Sequence, residues 1–430
     1  ISSGSATLMY KQVLSYEKLI QSDEIAQYHF LLGRLFVVKG QYDLAIDSLN
    51  KIPNEASKKL IFDSYIQISQ CYEKKGDYNN ALQAVTNAEH KIRKNDKYEF
   101  ALVDINRGFL LCHQEKISKG IGLCERGLRL LDSQQSVSQN LIADGYSHLG
   151  WNYIIKGNYN KAVLALKRSI DLYLDSARGV ALAKIRVARI YWQKGMLKKA
   201  LDEINEAENL SNLTGDPQLQ AFALRQKNLI LWCYGEFDIS LSGHKEALKK
   251  YSKIRDYWGV AASLENVAAI LYDLGNYRCA LNYINNAINI CDKIGATDFL
   301  AYAYLYKSRI LIGQNDLLEA KKYAKNSFCL LRKWRYSGYY LGMAQISLGL
   351  VYYKMRKFKI SYTVFTFASA ILSKGYAFFQ QHISNFYKGI CLNEISNDKK
   401  KVDSILFESY TYFESIGATK FVSYLKMIEH

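Results

Sequence analysis

The chain contains seven histidines and eight cysteines, the residue types that most often bind metals or carry catalysis, and they are scattered along its length. No two cysteines form a C-x-x-C pair, and no two histidines stand at metal-ligand spacing. The sequence also lacks H-E-x-x-H, G-x-S-x-G and G-x-x-x-x-G-K-[ST], the motifs of metalloproteases, serine hydrolases and P-loop proteins. We therefore predict a protein that is not an enzyme and that uses no metal or other cofactor.

A different chemistry, reversible hydrogen bonding, is offered by polar side chains that recur about every forty residues. The members of this polar row are Gln67, Asn106, His148, Arg186, Gln226, Asn266, Tyr306, Ser347 and Tyr387. Amide groups can both donate to and accept from a peptide backbone, and the usual solvating residues, lysine and glutamate, are absent from the row. The pattern favours binding of an extended peptide, although a solvent-exposed surface that binds no ligand would also carry polar side chains.

Arginine and tryptophan, the types enriched in binding hot spots, accompany the polar row. They are Trp151, Arg189 and Arg309, three positions after the row, Trp192 and Trp232, six positions after it, and Arg225 beside it. Arginines are hard to bury without partners, so they favour a binding surface. Trp192 and Trp232 could equally pack between repeats in the core.

Positive charge is unevenly distributed. The net charge is +17, from 57 Lys and Arg against 40 Asp and Glu. The segment 301–360 holds twelve of the cations and only two acids. Lys333, Arg335, Arg356 and Lys357 form the predicted basic patch. Such a patch can bind an acidic protein surface or, less favoured here, nucleic acid, and it can also be a solvated edge with no partner.

A recurring phrase predicts the elements that position these side chains. It consists of Gly, a polar residue, an aromatic or aliphatic residue, two further residues and a small residue, as in Gly275-Asn276-Tyr277 with Ala280. Copies that begin with Gly stand at positions 40, 76, 157, 195, 235 and 275, and degenerate copies stand at 115, 315, 356 and 396; we call these ten the turn positions. Glycine ends a helix in the left-handed conformation, and the following Asp or Asn caps the next helix. We predict an A helix before each turn position and a B helix after it.

Small residues also recur seven positions before the turn positions, as at Gly108 and Gly150. A second small residue follows each turn position by five, as at Gly120 and Ala162. A side chain of minimal size at both places lets two helices approach closely. The sequence therefore predicts that each A helix packs tightly against its B helix.

The phrase Leu149-Gly150-x-x-Tyr153, Gly157-x-Tyr159 and Ala162 resembles the tetratricopeptide repeat signature, and similar matches cover residues 24–416. The period is about 40 residues where the usual repeat has about 34, and the terminal proline of that family is missing. Longer repeats of this kind resemble those of MalT-like activators, Rap-type peptide receptors, kinesin light chains and the arms of CHAT-type proteases. The resemblance implies an all-α, right-handed superhelical solenoid whose concave wall is lined by the A helices.

We expect one continuous domain over residues 1–430, because no Gly/Ser/Pro-rich linker interrupts the chain. It comprises an N-terminal helix at 7–21, ten repeats at 24–416 and a C-terminal capping helix at 417–430. No apolar run is long enough to span a membrane, and the cysteines fit reduced core thiols. These features predict a cytoplasmic protein that does not associate with a membrane.

The predicted function is a scaffold that holds a protein or peptide in its concave groove. The groove residues are Asn106, His148, Trp151, Arg186, Arg189, Trp192, Arg225, Gln226, Trp232, Asn266, Tyr306 and Arg309. The resemblance to repeats of MalT-like and Rap-type regulators implies the sensing or docking arm of a larger intracellular regulator of bacterial type, and the chain opens at Ile1 without Met, as an excised segment or a domain within a longer protein would. The alternatives are an effector arm for a small molecule, as in MalT-like activators, and a nucleic-acid-associated adaptor that uses the segment 301–360.

Overall fold

The computed structural model describes residues 22–93, 96–114, 116–134, 137–333, 338–396 and 398–429. Every regular element in these ranges is an α-helix, as predicted. The helices are α1 Ser22–Val38, α2 Tyr42–Asn50, α3 Lys58–Lys74, α4 Tyr78–Glu89, α5 Lys97–His113, α6 Ile117–Asp132, α7 Gln139–Lys156, α8 Tyr159–Leu172, α9 Ala177–Gln193, α10 Leu197–Thr214, α11 Pro217–Cys233, α12 Phe237–Lys253, α13 Tyr257–Asp273, α14 Tyr277–Ile294, α15 Thr297–Gly313, α16 Leu317–Lys333, α17 Gly338–Lys354, α18 Phe358–Lys374, α19 Phe378–Ile395, α20 Lys399–Ser415 and α21 Thr419–Glu429. The helix predicted at 7–21 lies outside the described residues.

The turn positions separate the helices as the repeating phrase predicts. Helices α1 to α20 form ten successive pairs of an A helix and a B helix, and α21 follows within the predicted capping segment 417–430. Gly157 has a φ of 78°, and the N–H of Asn158 donates to the carbonyl of Tyr153, which closes the end of the A helix. The Asn158 side chain then accepts from the N–H of Lys161 and caps the B helix. Asn315 and Arg356 hold the same left-handed conformation, with φ of 63° and 58°, although neither is glycine.

Small residues let the paired helices approach as predicted. A β-carbon added to Gly108 on α5 would lie 2.5 Å from the carbonyl oxygen of Gly120 on α6. A β-carbon on Gly120 would lie 2.4 Å from the carbonyl oxygen of Gly108. The two helices therefore touch backbone to backbone at this crossing, which only glycine permits.

The chain divides into two compact units, residues 1–152 and 153–430, with the boundary inside α7. In the first unit, the core is built around Phe62, Val85 and Leu110, which are buried between α3, α4 and α5. In the second unit, a large core extends from Ala181 on α9 to Leu425 on α21. The continuity of one array over residues 1–430 stays a prediction.

Helices far apart in sequence meet within the second unit. Nη2 of Arg189 on α9 donates to the hydroxyl of Tyr340 on α17 at 2.5 Å. The ring of Phe421 on α21 packs edge-on against Trp232 on α11, with centroids 6.4 Å apart. Nζ of Lys420 pairs with Glu236 at 2.7 Å. The final described helix is thus held against α11 and the turn between α11 and α12.

Candidate functional site

The polar row lies deeper in the structure than its sequence pattern suggested. Gln226 is 2% exposed and Arg186 7%, and Asn106, 6% exposed, donates from Nδ2 to the carbonyl of Leu102 in its own helix. These three residues, which the sequence predicted to line a groove open to a peptide, are therefore largely buried. Successive A helices pack against one another, so the row falls partly in the seam between them.

In the first unit, the predicted residues form an aromatic and imidazole cluster. Nε1 of Trp151 donates to Nε2 of His113 at 3.2 Å, and the His148 ring stacks on Phe109 with centroids 4.4 Å apart. Trp151 is only partly buried and packs beside the core around Leu110. Asn106, His148 and Trp151 therefore lie on the last two A helices of this unit, and the rings of His148 and Trp151 contact Phe109 and His113.

In the second unit, one pocket gathers half of the predicted groove residues. They are Arg189, Trp192, Arg225, Trp232, Asn266 and Tyr306. These residues lie on four successive A helices, α9, α11, α13 and α15. The pocket contains about 800 Å³ of empty space, the part open to solvent included, and its surface is more apolar than polar.

Two of the tryptophans serve the core and the pocket at once. Nε1 of Trp192, which is 8% exposed, donates to Sγ of Cys233 at 3.1 Å, and its ring packs against Tyr339. Nε1 of Trp232 donates to Oδ2 of Asp273 at 2.7 Å. The indole N–H groups are therefore engaged by the protein, and only the ring surfaces of Trp192 and Trp232 face the pocket.

Several polar atoms in the pocket wall have no protein partner. Among the described residues, nothing accepts a hydrogen bond from Nδ2 of Asn266, and neither ring nitrogen of His244 has a partner. Nε of Arg225 is also without a partner, although its guanidinium hydrogen-bonds the Tyr251 hydroxyl. Buried polar atoms are normally satisfied, so a cluster of exceptions indicates a place where another molecule or water belongs.

The electrostatics of the pocket keep the His244 side chain neutral and favour an anionic ligand. Burial, together with the charge of nearby Arg225, lowers the pKa of His244 to about 3, so this side chain is neutral at pH 7. Arg189 and Arg225 contribute two positive charges, and the buried Glu265 is the carboxyl group in the wall.

The remaining predicted residues do not line the pocket. Arg309 on α15 donates from Nε to Oγ of Ser347 at 2.9 Å, and its guanidinium lies 5.8 Å from the Tyr306 ring centre. Arg186 and Gln226 are buried in the seams between A helices. Arg356 and Lys357 are exposed at the turn before α18, whereas the Lys333 side chain and Arg335 lie outside the described residues.

Sequence reasoning missed several residues that line the pocket. Tyr302 and Ala262 precede Tyr306 and Asn266 by four residues, so one helical turn along the predicted row could have found them. His244 lies on the B helix α12, a face that the groove prediction did not include. Tyr339 and Tyr340 come from α17, about 150 residues after Arg189, and no local pattern marks that approach.

Within the described residues, no group of three or more His, Cys, Asp and Glu side chains is placed to hold a metal ion. In the same part of the chain, no helix combines the length and apolar character needed to cross a bilayer.

Comparison with known proteins supports the assignment of the repeats. The tetratricopeptide repeat family model matches residues 62–88 and 143–176. No curated protein matches the chain. Among solved structures, a Rap protein complexed with Competence and Sporulation Factor is similar with a TM-score of 0.60 and 13% identity, over 85% of this chain and 99% of that one. Aspartyl phosphate phosphatase F from Bacillus subtilis is similar with a TM-score of 0.52 and 13% identity, over 82% and 95% of the two chains.

The paired A and B helices, the left-handed turns between them and the family-model matches lead to one conclusion: residues 62–88 and 143–176 match tetratricopeptide repeats, within an all-α fold of helical-hairpin repeats similar to that of the Rap protein.

Proposed function

We propose that this chain is a binding scaffold that holds a peptide or a segment of a partner protein, as the sensing or docking arm of an intracellular regulator of bacterial type. The observation that carries the proposal is the pocket of the second unit, to which four successive A helices contribute Arg189, Arg225, Asn266 and Tyr306. Side chains from successive repeats form a row, and an extended peptide presents its backbone groups in a similar row.

Two further features support binding over catalysis. The pocket is lined by aromatic and arginine side chains, which dominate binding hot spots. The solved Rap structure with a similar fold holds Competence and Sporulation Factor, so an array of this type can carry a bound factor.

A test begins with selection of peptides from a random library on the immobilised chain, followed by affinity measurements for the strongest binder. We expect Asn266→Ala to weaken binding roughly two- to tenfold, the effect of one neutral hydrogen bond. Lys161→Ala on α8 and Lys249→Ala on α12, both exposed on B helices, should leave the affinity unchanged. Equal losses for the B-helix variants, or failure to select any binder, would count against a peptide groove at this site.

The gathering of aromatic and arginine side chains around one pocket also favours a second candidate, an effector arm for a small molecule. Such a ligand would bind the folded chain alone and raise its thermal midpoint in a saturable way. The two candidates differ in whether a free small molecule is sufficient or a longer chain is needed.

A further inference from the structure

We propose that the pocket of the second unit binds an aromatic ring that carries a carboxylate, supplied either by a free aromatic acid or by the C-terminal residue of a peptide. The inference rests on the proposed binding role of the same pocket, and it specifies the chemistry of the occupant. It depends on three features of the wall: flat aromatic surfaces, hydrogen-bond donors without partners, and an excess of positive charge.

The aromatic surfaces favour a flat ring. Tyr302 and Tyr340 stack with centroids 4.0 Å apart and an interplanar angle of 22°, so they present a continuous aromatic wall. Trp232 and Tyr306 also line the cavity, and Phe299 extends the same wall. Aromatic rings bury a large area and gain additional energy from offset or edge-on contacts with one another. An aliphatic chain would fill the space without those contacts.

The donors without partners call for an acceptor. Nδ2 of Asn266 and Nε of Arg225 are buried N–H groups that no described residue satisfies. A buried donor left without a partner costs free energy, and a charge-assisted bond to a carboxylate is about twice as strong as a neutral one. A carboxylate bound in the pocket, which both residues line, would supply acceptors for these donors.

The charge balance favours a single negative charge. Arg189 and Arg225 bring two positive charges to the wall, and the 4%-exposed Glu265 offsets one of them when ionised. One carboxylate therefore brings the pocket to neutrality, whereas a dianionic phosphate would leave it negative. The predominantly apolar surface also suits a group with one charged end and one aromatic end.

The probe is N-acetyl-4-fluorophenylalanine, whose binding to the full chain is measured by fluorine NMR. Its matched control is the primary amide of the same compound. We expect saturable binding of the acid and affinity for the amide that is lower by roughly ten- to hundredfold, the effect of a charged hydrogen bond. Asn266→Asp replaces the donor with an anion of the same shape and should abolish binding of the acid. Asn286→Asp makes the same change at an exposed position on α14 and should bind like the wild type.

Equal affinity for the acid and the amide overturns the proposal, as does an acid that does not bind or that binds Asn266→Asp as tightly as wild type. Circular dichroism and thermal midpoints of both Asp variants establish that they are folded. Competition by a degenerate peptide pool that ends in a free phenylalanine identifies where the aromatic carboxylate comes from. Stronger competition than by the acid alone indicates a peptide terminus, and weaker competition indicates a free aromatic acid. If the acid binds but no library peptide does, the peptide-holding function fails while the pocket chemistry stands.

Discussion

Nε1 of Trp232 donates to Oδ2 of Asp273 at 2.7 Å, and the hydroxyl of Tyr424 donates to the other carboxyl oxygen at 3.2 Å. Trp232 lines the pocket on α11, Asp273 ends α13, and Tyr424 lies on the final described helix, α21. One carboxyl group thus connects a pocket wall to the C-terminal helix. Burial raises the pKa of Asp273 to about 6, and the hydrogen bond from Trp232 acts in the opposite direction.

This raised pKa predicts how stability depends on pH. Between about pH 4 and pH 6, a larger fraction of Asp273 is protonated in the folded chain than in the unfolded chain, where its pKa is near 3.8. The contribution of this residue to the free energy of unfolding therefore falls as pH rises through that window. Asp273→Asn stays neutral at every pH, so its stability relative to wild type should increase as pH rises. Denaturant unfolding of both proteins across this window measures the difference, and a constant difference would show that Asp273 titrates normally.

The backbone contact between Gly108 and Gly120 predicts a strong effect of one methyl group. Gly108→Ala places a β-carbon against the Gly120 carbonyl and Sγ of Cys124, so the crossing must open. We expect a loss of about 1–3 kcal/mol in the free energy of unfolding. Gly122→Ala on the same B helix has open space around its β-carbon and should be neutral or stabilise by about 0.5–1 kcal/mol, because alanine favours helix. Similar midpoints for the two variants would contradict close packing at this crossing.

Arg356 predicts a stabilising substitution. Its φ of 58° is a left-handed conformation that costs a residue with a β-carbon about 1–2 kcal/mol. Arg356→Gly should relieve that strain and, after the entropy of glycine in the unfolded chain is subtracted, stabilise the fold by about 0.5–1 kcal/mol. Arg356→Ala removes the same charge but keeps the β-carbon, so its thermal midpoint should not rise. A higher midpoint for both variants would attribute the gain to charge.

The basic patch predicts salt-dependent binding to a polyanion. Arg356→Glu combined with Lys357→Glu should elute from heparin at lower salt than wild type, because two exposed cations next to further Lys residues are reversed. The control reverses Lys198 and Lys199, which are exposed on α10. If the two double variants elute together, only the net charge matters and the patch is a solvated edge.

The periodicity predicted the helix pairs, the turn positions and the close crossing at Gly108 because all three depend on neighbours in sequence. It also predicted six pocket residues, since one position per repeat falls on the same face of each A helix. It could not predict that Gln226 and Arg186 are buried, because that depends on how neighbouring A helices pack. The pairing of Asp273 with Tyr424 joins residues 151 positions apart, which no local pattern encodes.

The fastening of α21 also constrains biosynthesis. Tyr424 leaves the ribosome 151 residues after Asp273, a delay of roughly 8–30 seconds at about 5–20 residues per second. During that interval the nascent chain already contains Trp232 and Asp273 but not the helix that covers them. The contacts that α21 makes with Trp232 and Asp273, behind the pocket wall, therefore form only after α21 has been synthesised.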